Sequence, residues 1–195
     1  MKVTSSPSSS DLGSRLPTGT EKERFALFYG ENDAFVWRTL RRFGLKDAAV
    51  DDGMQDVFVV AHQKFGEFDG KSPRAWLAAI ARRVAADTRR KNARHAVCAE
   101  ESQHDLAVTT ESLKRCKDQA SQKAAVELVH RLLDCLDREK REVFVLAELE
   151  GLSMREVAEV TELNVNTAYS RLRAARLQMK AEYARVVARE KWRMP

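Results

Sequence analysis

One run of side chains near the C-terminus carries much of this chain's capacity for chemistry, and that chemistry is recognition rather than bond making. Between Asn164 and Lys180 the sequence holds Asn166, Thr167, Tyr169, Ser170, Arg171, Arg173 and Arg176 without a single acid. Helical spacing puts Val165, Ala168, Leu172, Ala175 and Met179 on one side, so Asn166, Tyr169, Ser170 and Arg173 project from the opposite side. Arginine pairs with guanine edges and asparagine with adenine, each good bidentate pair discriminating by about 1–3 kcal/mol. Arg171, Arg176 and Lys180 lie off the centre of that face and suit phosphates. The run follows a short polar break, in which Asn164 can cap the helix through the amide of Thr167. Before the break, Ser153 and Glu156 form a capping box that starts a shorter helix with Val157, Ala158 and Val160 on its apolar side. A short capped helix followed by a basic capped helix is a helix-turn-helix, the second helix fitting a DNA major groove.

A second constellation has a different chemistry. Phe65, Phe68 and Trp76 lie beside Lys71, Arg74, Arg82 and Arg83, with Arg89 and Arg90 following. Aromatics interleaved with cations suit single-stranded nucleic acid, where rings stack on bases and cations hold the backbone. Trp76 sits at helical spacing and competes for a place in the core, whereas Phe65 and Phe68 flank or occupy a Gly-bounded loop and are expected to be more available. Just upstream the charge reverses: Asp47, Asp51, Asp52, Asp56, Glu67 and Asp69 stand against Lys46 and Lys64. The net charge of +5 is therefore modest but unevenly distributed, which points to two partners, one of them polyanionic.

Other chemistries find little support. No Ser-His-Asp, P-loop or Gly-rich phosphate motif occurs, and Asp52 and Asp56 share a helix face without the second carboxylate cluster of two-metal catalysis. His95, Cys98, His104 and Cys116 match no compact metal-ligand spacing, and Cys98, Cys116 and Cys135 form no disulfide framework. No metal, cofactor or catalytic residue is expected. An apolar h-region is missing after Lys2, and no run approaches the roughly 20 apolar residues of a membrane span. The expectation is a soluble cytoplasmic protein with no direct membrane insertion.

The elements that must position these residues read as helices throughout. Residues 1–20 are Ser-, Thr-, Gly- and Pro-rich and read as a disordered tail. Phe25, Phe28 and Tyr29 mark a short helix, and Phe35, Val36, Leu40 and Phe43 a second one ended by Gly44. A third runs from about Asp47 to Phe65, then a loop to Lys71, then a helix opened by Ser72-Pro73 with Trp76, Leu77, Ile80, Val84 and Ala85 buried. The pattern dissolves over residues 95–121, a linker, and resumes with Val126, Val129, Leu132, Leu133 and Leu136; Asp137 caps the next helix. The fold class is all-α: two small helical domains, residues 21–94 and 122–187, joined by a flexible linker, with a tail at 188–195.

Asp51-Asp52-Gly53-Met54-Gln55-Asp56-Val57-Phe58, then Phe68-Asp69-Gly70, then Trp76 to Asp87, resembles conserved region 2 of bacterial RNA polymerase sigma factors of the extracytoplasmic-function class. Leu136 to Phe144 with the helix-turn-helix resembles region 4 of that class. The resemblance implies that Asp51, Asp52, Gln55, Asp56 and Phe58 meet the β′ clamp helices of core RNA polymerase. It places the loop from Phe65 through Phe68 to Lys71 at a captured base of the −10 element and Trp76 in −10 binding and melting, with Arg74, Arg82, Arg83, Arg89 and Arg90 on that element and its phosphates. Asn166, Thr167, Tyr169, Ser170, Arg171, Arg173 and Arg176 fall to the −35 element, beside the polymerase β flap. An anti-sigma factor, often membrane-bound, is a further implied partner. His62 replaces a frequent Trp, Asp137 a common Pro, and Asn166 and Tyr169 a frequent Gly and a frequent basic residue, which bears most on promoter sequence. A conventional helix-turn-helix regulator would instead need a dimer interface or effector pocket in the first half.

Overall fold

The computed structural model describes residues 20–98 and 118–191, and among them all regular elements are helical. Helix α1 spans Glu21–Arg42, opened by a capping box between Thr20 and Glu23. It is one helix where two were expected. Gly30 meets nothing within 4 Å of its would-be side chain, and buried Asn32 donates from Nδ2 to the Phe28 carbonyl at 2.8 Å. The polar break at Gly30 to Asp33 is thereby absorbed, because Phe28, Asn32, Phe35, Val36, Thr39 and Leu40 keep one buried stripe. Past Phe43, the cap residue, Gly44 adopts φ +95°, a left-handed conformation that costs glycine nothing.

Helix α2 (Asp47–Gln63) packs on α1, and a single 3₁₀ turn, Phe65–Glu67, follows it. Helix α3 (Pro73–Cys98) carries buried Leu77, Ala78, Ala81 and Ala85 and packs against both. The expected linker lies mostly outside the described residues. Helix α4 (Asp118–Asp134) resumes the chain. Asp137 then caps α5 (Arg138–Phe144), accepting the Lys140 amide at 2.9 Å, and a π turn over Val145–Leu149 ends it. Helices α6 (Met154–Thr161) and α7 (Val165–Lys191) form the helix-turn-helix. The box at Ser153 and Glu156 is present as expected, whereas Asn164 Oδ1 accepts from the amide of Asn166 at 2.9 Å rather than from that of Thr167. Val165, expected on the apolar stripe, is exposed at the first position of α7; Ala168, Leu172 and Ala175 are buried.

Helices α1–α3 and α4–α7 pack upon each other, α3 lying against α6, and their buried side chains merge into one apolar cluster. Each group alone has a thin core, so this shared surface adds hydrophobic burial that neither has by itself.

Candidate nucleic-acid and polymerase interfaces

On α7 the buried row Ala168, Leu172 and Ala175 fixes the rotation of the helix, and that rotation leaves Asn166, Thr167, Tyr169, Ser170 and Arg173 facing solvent. Tyr169 is 55% exposed, so its ring and hydroxyl are accessible on that face. The Ser170 hydroxyl donates back to the Asn166 carbonyl at 2.9 Å, which orients it beside the Asn166 side chain. Arg173 has no partner among the described residues. Arg171 and Arg176 differ: Arg171 pairs with Glu139 at 2.6 Å and Arg176 with Glu148, both acids of α5 and its π turn. The base-reading positions are open, while two of the phosphate-holding candidates are engaged within their own helical group.

The aromatic-basic surface sorts into core and rim. Phe65, expected to be available from the loop, is a core residue at 5% exposure, its ring edge-on to Phe25 and Phe28 at 5.2 Å each. The 3₁₀ turn swings it inward, under α1. Phe68 is half-buried and stacks on Trp76 at 4.8 Å and 25°, so these two rings form one platform with an accessible rim. Lys71 is exposed, its amide bonded to Asp69 Oδ1 at 3.0 Å and its ammonium 3.4 Å from the same carboxylate; the amide bond is the largest influence holding Asp69 below the usual carboxylate range. The Arg74 guanidinium lies 5.6 Å over the ring of Phe35, a cation–π contact that leaves it at the surface.

The remaining arginines of α3 are not free. Arg82 Nε meets Glu142 Oε2 at 2.7 Å, and Arg89 Nη2 approaches the same carboxylate at 3.5 Å as an ion pair without hydrogen-bond geometry. Arg89 also donates to the Phe43 carbonyl. Burial, with Arg138 close by, lowers the Arg89 pKa against the pull of Glu142. Arg83 reaches Glu162 at 3.1 Å, and Arg90 pairs with Asp87 along its own helix at 3.4 Å. Glu142 is the partner that sequence reasoning missed. It is 4% exposed and also accepts from Arg138 at 2.8 Å. The available signal was its placement beside Val143 on the buried side of α5, where an acid must be paired to persist.

On α2, Asp51, Asp52, Gln55 and Asp56 are exposed. Phe58 is buried to 6%, its ring against Tyr29 at 4.4 Å, and its edge lines a groove of about 600 Å³ between α1 and α2. Asp51, Gln55, Met54 and Tyr29 border the same groove, giving it an apolar floor and a polar, acidic rim. His62, in place of the Trp that the resemblance suggests, sits edge-on to Phe25 at 4.7 Å. Among the described residues no cluster of His, Cys, Asp and Glu could hold a metal ion, and no helix is long and apolar enough to cross a membrane. His104 and Cys116 lie outside the described residues.

Comparison with known proteins bears on the fold and the family. Residues 28–95 match the family described as Sigma-70 region 2, and residues 126–179 match Sigma-70, region 4. The chain is 28% identical over 175 residues to the RNA polymerase sigma factor CnrH of Cupriavidus metallidurans, covering 87% of this chain and 91% of that one. It is 29% identical over 153 residues to the ferric citrate uptake sigma factor FecI of Escherichia coli K12, covering 77% and 85%. The solved structure of CnrH in complex with the cytosolic domain of CnrY superposes with a TM-score of 0.59 at 27% identity, over 84% of this chain and 89% of that one. RpoE of Bartonella quintana, solved with the anti-sigma factor NepR, shares the fold at a TM-score of 0.62 and 20% identity, over 82% and 94%. With both conserved regions matched in order, and each carried on the helices that display its residues, the chain belongs to the sigma-70 family of RNA polymerase sigma factors, in its extracytoplasmic-function class.

Proposed function

We propose that this sigma factor divides promoter recognition between its two helical groups, in the cytoplasm and without catalysing a reaction itself. Core RNA polymerase docks its β′ clamp helices into the groove between α1 and α2, where Asp51 and Gln55 meet basic side chains at the rim and Phe58 forms part of the floor, while Asp52 and Asp56 engage it from the exposed surface of α2. The stacked pair Phe68 and Trp76, with Lys71 and Arg74, takes an opened strand of the −10 element, and Arg82, Arg83, Arg89 and Arg90 hold its phosphates. Phe65 supports this platform from beneath. Helix α7 reads the −35 duplex with Asn166, Tyr169, Ser170 and Arg173, beside the β flap, while Thr167, Arg171 and Arg176 contact the backbone.

The observation that carries this reading is the exposed row on α7 combined with an aromatic platform stacked between the loop before α3 and its first turn, two recognition surfaces suited to two forms of DNA. An anti-sigma factor is the second protein partner; the CnrH structure with the cytosolic domain of CnrY supports a partner of that kind. Promoter mapping with holoenzyme reconstituted from core polymerase tests the whole reading. Defined start sites that require this chain are expected; absence of both core binding and start-site selection would overturn it in favour of a conventional regulator.

A further inference from the structure

Helix α1 buries one stripe and packs on α2 and α3, and its opposite face carries side chains that the functions above leave unused. Along a line through Glu23, Gly30, Ala34 and Arg41 stand Leu27, 53% exposed, and Trp37, 41% exposed. At these exposures both side chains hold apolar area in water, and a partner would gain by covering it. The middle of the face is low: Gly30 and Ala34 are exposed, and a side chain added at Gly30 would meet nothing within 4 Å. At the C-terminal end the Arg41 guanidinium lies 5.8 Å over the Trp37 ring. Tyr29, which borders the groove between α1 and α2, stands about 120° further round the helix, so this face is distinct from that groove.

The residues of the face are placed symmetrically. The midpoint between Gly30 and Ala34 is also the midpoint between Leu27 and Trp37, and again between Glu23 and Arg41. Glu23 and Arg41 are about five turns, or roughly 27 Å, apart and therefore point the same way from the helix axis. A second copy laid antiparallel across a two-fold axis at that midpoint would meet the face with its own likeness, the self-complementary contact of an isologous dimer. Gly30 would stand opposite Ala34 of the second copy, allowing the axes to approach to about 8 Å, the short end of helix packing. Leu27 and Trp37 of the second copy would share a layer on each side of this centre. At either end an acid would meet a base, Glu23 against Arg41. A parallel pairing would instead set Glu23 on Glu23 and Arg41 on Arg41, so charge selects the antiparallel one.

We propose that the outer face of α1 is the interface of a two-fold antiparallel dimer of this chain, with Leu27 and Trp37 as its apolar anchors and Glu23 and Arg41 setting its register. One helix pair buries less than the roughly 1,200 Å² at the lower end of stable interfaces, so the dimer is weak and forms with rising concentration. It is not the lasting dimer with which a conventional regulator reads a palindromic operator. The inference stands beside the sigma-factor reading and does not depend on it.

Sedimentation equilibrium of the full chain, in reducing buffer from low micromolar to submillimolar concentration, reads the association, and far-ultraviolet circular dichroism checks that each variant is folded. Wild type is expected to follow a monomer–dimer equilibrium. G30R, whose added side chain enters open space in the monomer, and W37S should each dimerise at least about tenfold more weakly. E23K and R41E should each dimerise more weakly alone, because like charges then meet at both ends. An equimolar mixture of the two should associate again, since each supplies the charge that the other lacks. A wild type that stays monomeric at the highest concentration overturns the proposal and leaves the face to residues 1–19 or to another protein. A G30R protein that dimerises as wild type does, or a mixture that associates no better than its components, overturns it as well. Should E23K or R41E not fold, G30R and W37S decide the matter.

Discussion

Arg171 and Arg173 are two positions apart on α7 and have different surroundings: Arg171 is held by Glu139 at 2.6 Å, while Arg173 extends into solvent beside Tyr169 and Ser170. R173A is therefore expected to weaken discrimination at one −35 position by about 1–3 kcal/mol, roughly tenfold or more, when holoenzyme binding is compared across single-base promoter variants. R171A should instead lower affinity evenly across those variants and reduce the salt dependence of binding. Gly44 is a residue whose importance is structural. Its φ of +95° disfavours any side chain, and the Arg141 guanidinium lies 3.4 Å from where a Cβ would stand. G44A is expected to destabilise the protein by about 1–2 kcal/mol in urea denaturation, since the left-handed backbone penalises Cβ.

At the scale of elements, two short helices depend on their first residues. Asp137 caps α5 and is bonded to Lys140 through both amide and ammonium; the ammonium contact is the larger influence lowering its pKa. D137A should cost about 1 kcal/mol of stability, measured by thermal or chemical denaturation. Glu156 closes the box at α6, and its carboxyl is lowered first by the Ser72 hydroxyl and then by that of Ser153. A depressed carboxyl contributes stability fully above its unfolded pKa and loses it as pH falls through the folded value. Stability is therefore expected to be flat near neutrality and to decline once pH drops below the ordinary carboxylate range, with E156Q flattening part of that decline in acid unfolding curves. The caps and apolar stripes of these helices were legible because their signals are local. The union of two expected helices into α1 was not, because Gly30 to Asp33 is a break by propensity and only tertiary burial of Asn32 overrides it.

For the whole molecule, the seam between α1–α3 and α4–α7 combines buried apolar contact with charge. Leu77 is fully buried in the shared cluster, so L77A should destabilise by about 2–5 kcal/mol in denaturation. Cys135 is half-buried, its thiol raised mainly by burial, and has no disulfide partner among the described residues. The candidate site was legible where residues project from a helix whose stripe is clear, as with Asn166, Tyr169, Ser170 and Arg173. It was misread for Phe65, since a ring next to a glycine looks exposed until the 3₁₀ turn directs it beneath α1. Glu142 escaped because an acid in a charged run, Arg138 to Glu142, reads as solvated surface.

The sequence by itself determined the helices, the helix-turn-helix and the kinds of surface displayed, for these follow from periodicity, capping and charge within a few residues of each other. Only the tertiary structure decided which cations are open and which are engaged. Arg82, Arg83 and Arg89 meet acids more than 50 residues away in the chain. No local pattern encodes such a pairing; it arises when α3 and α6 bury apolar surface together and bring their charged borders within reach.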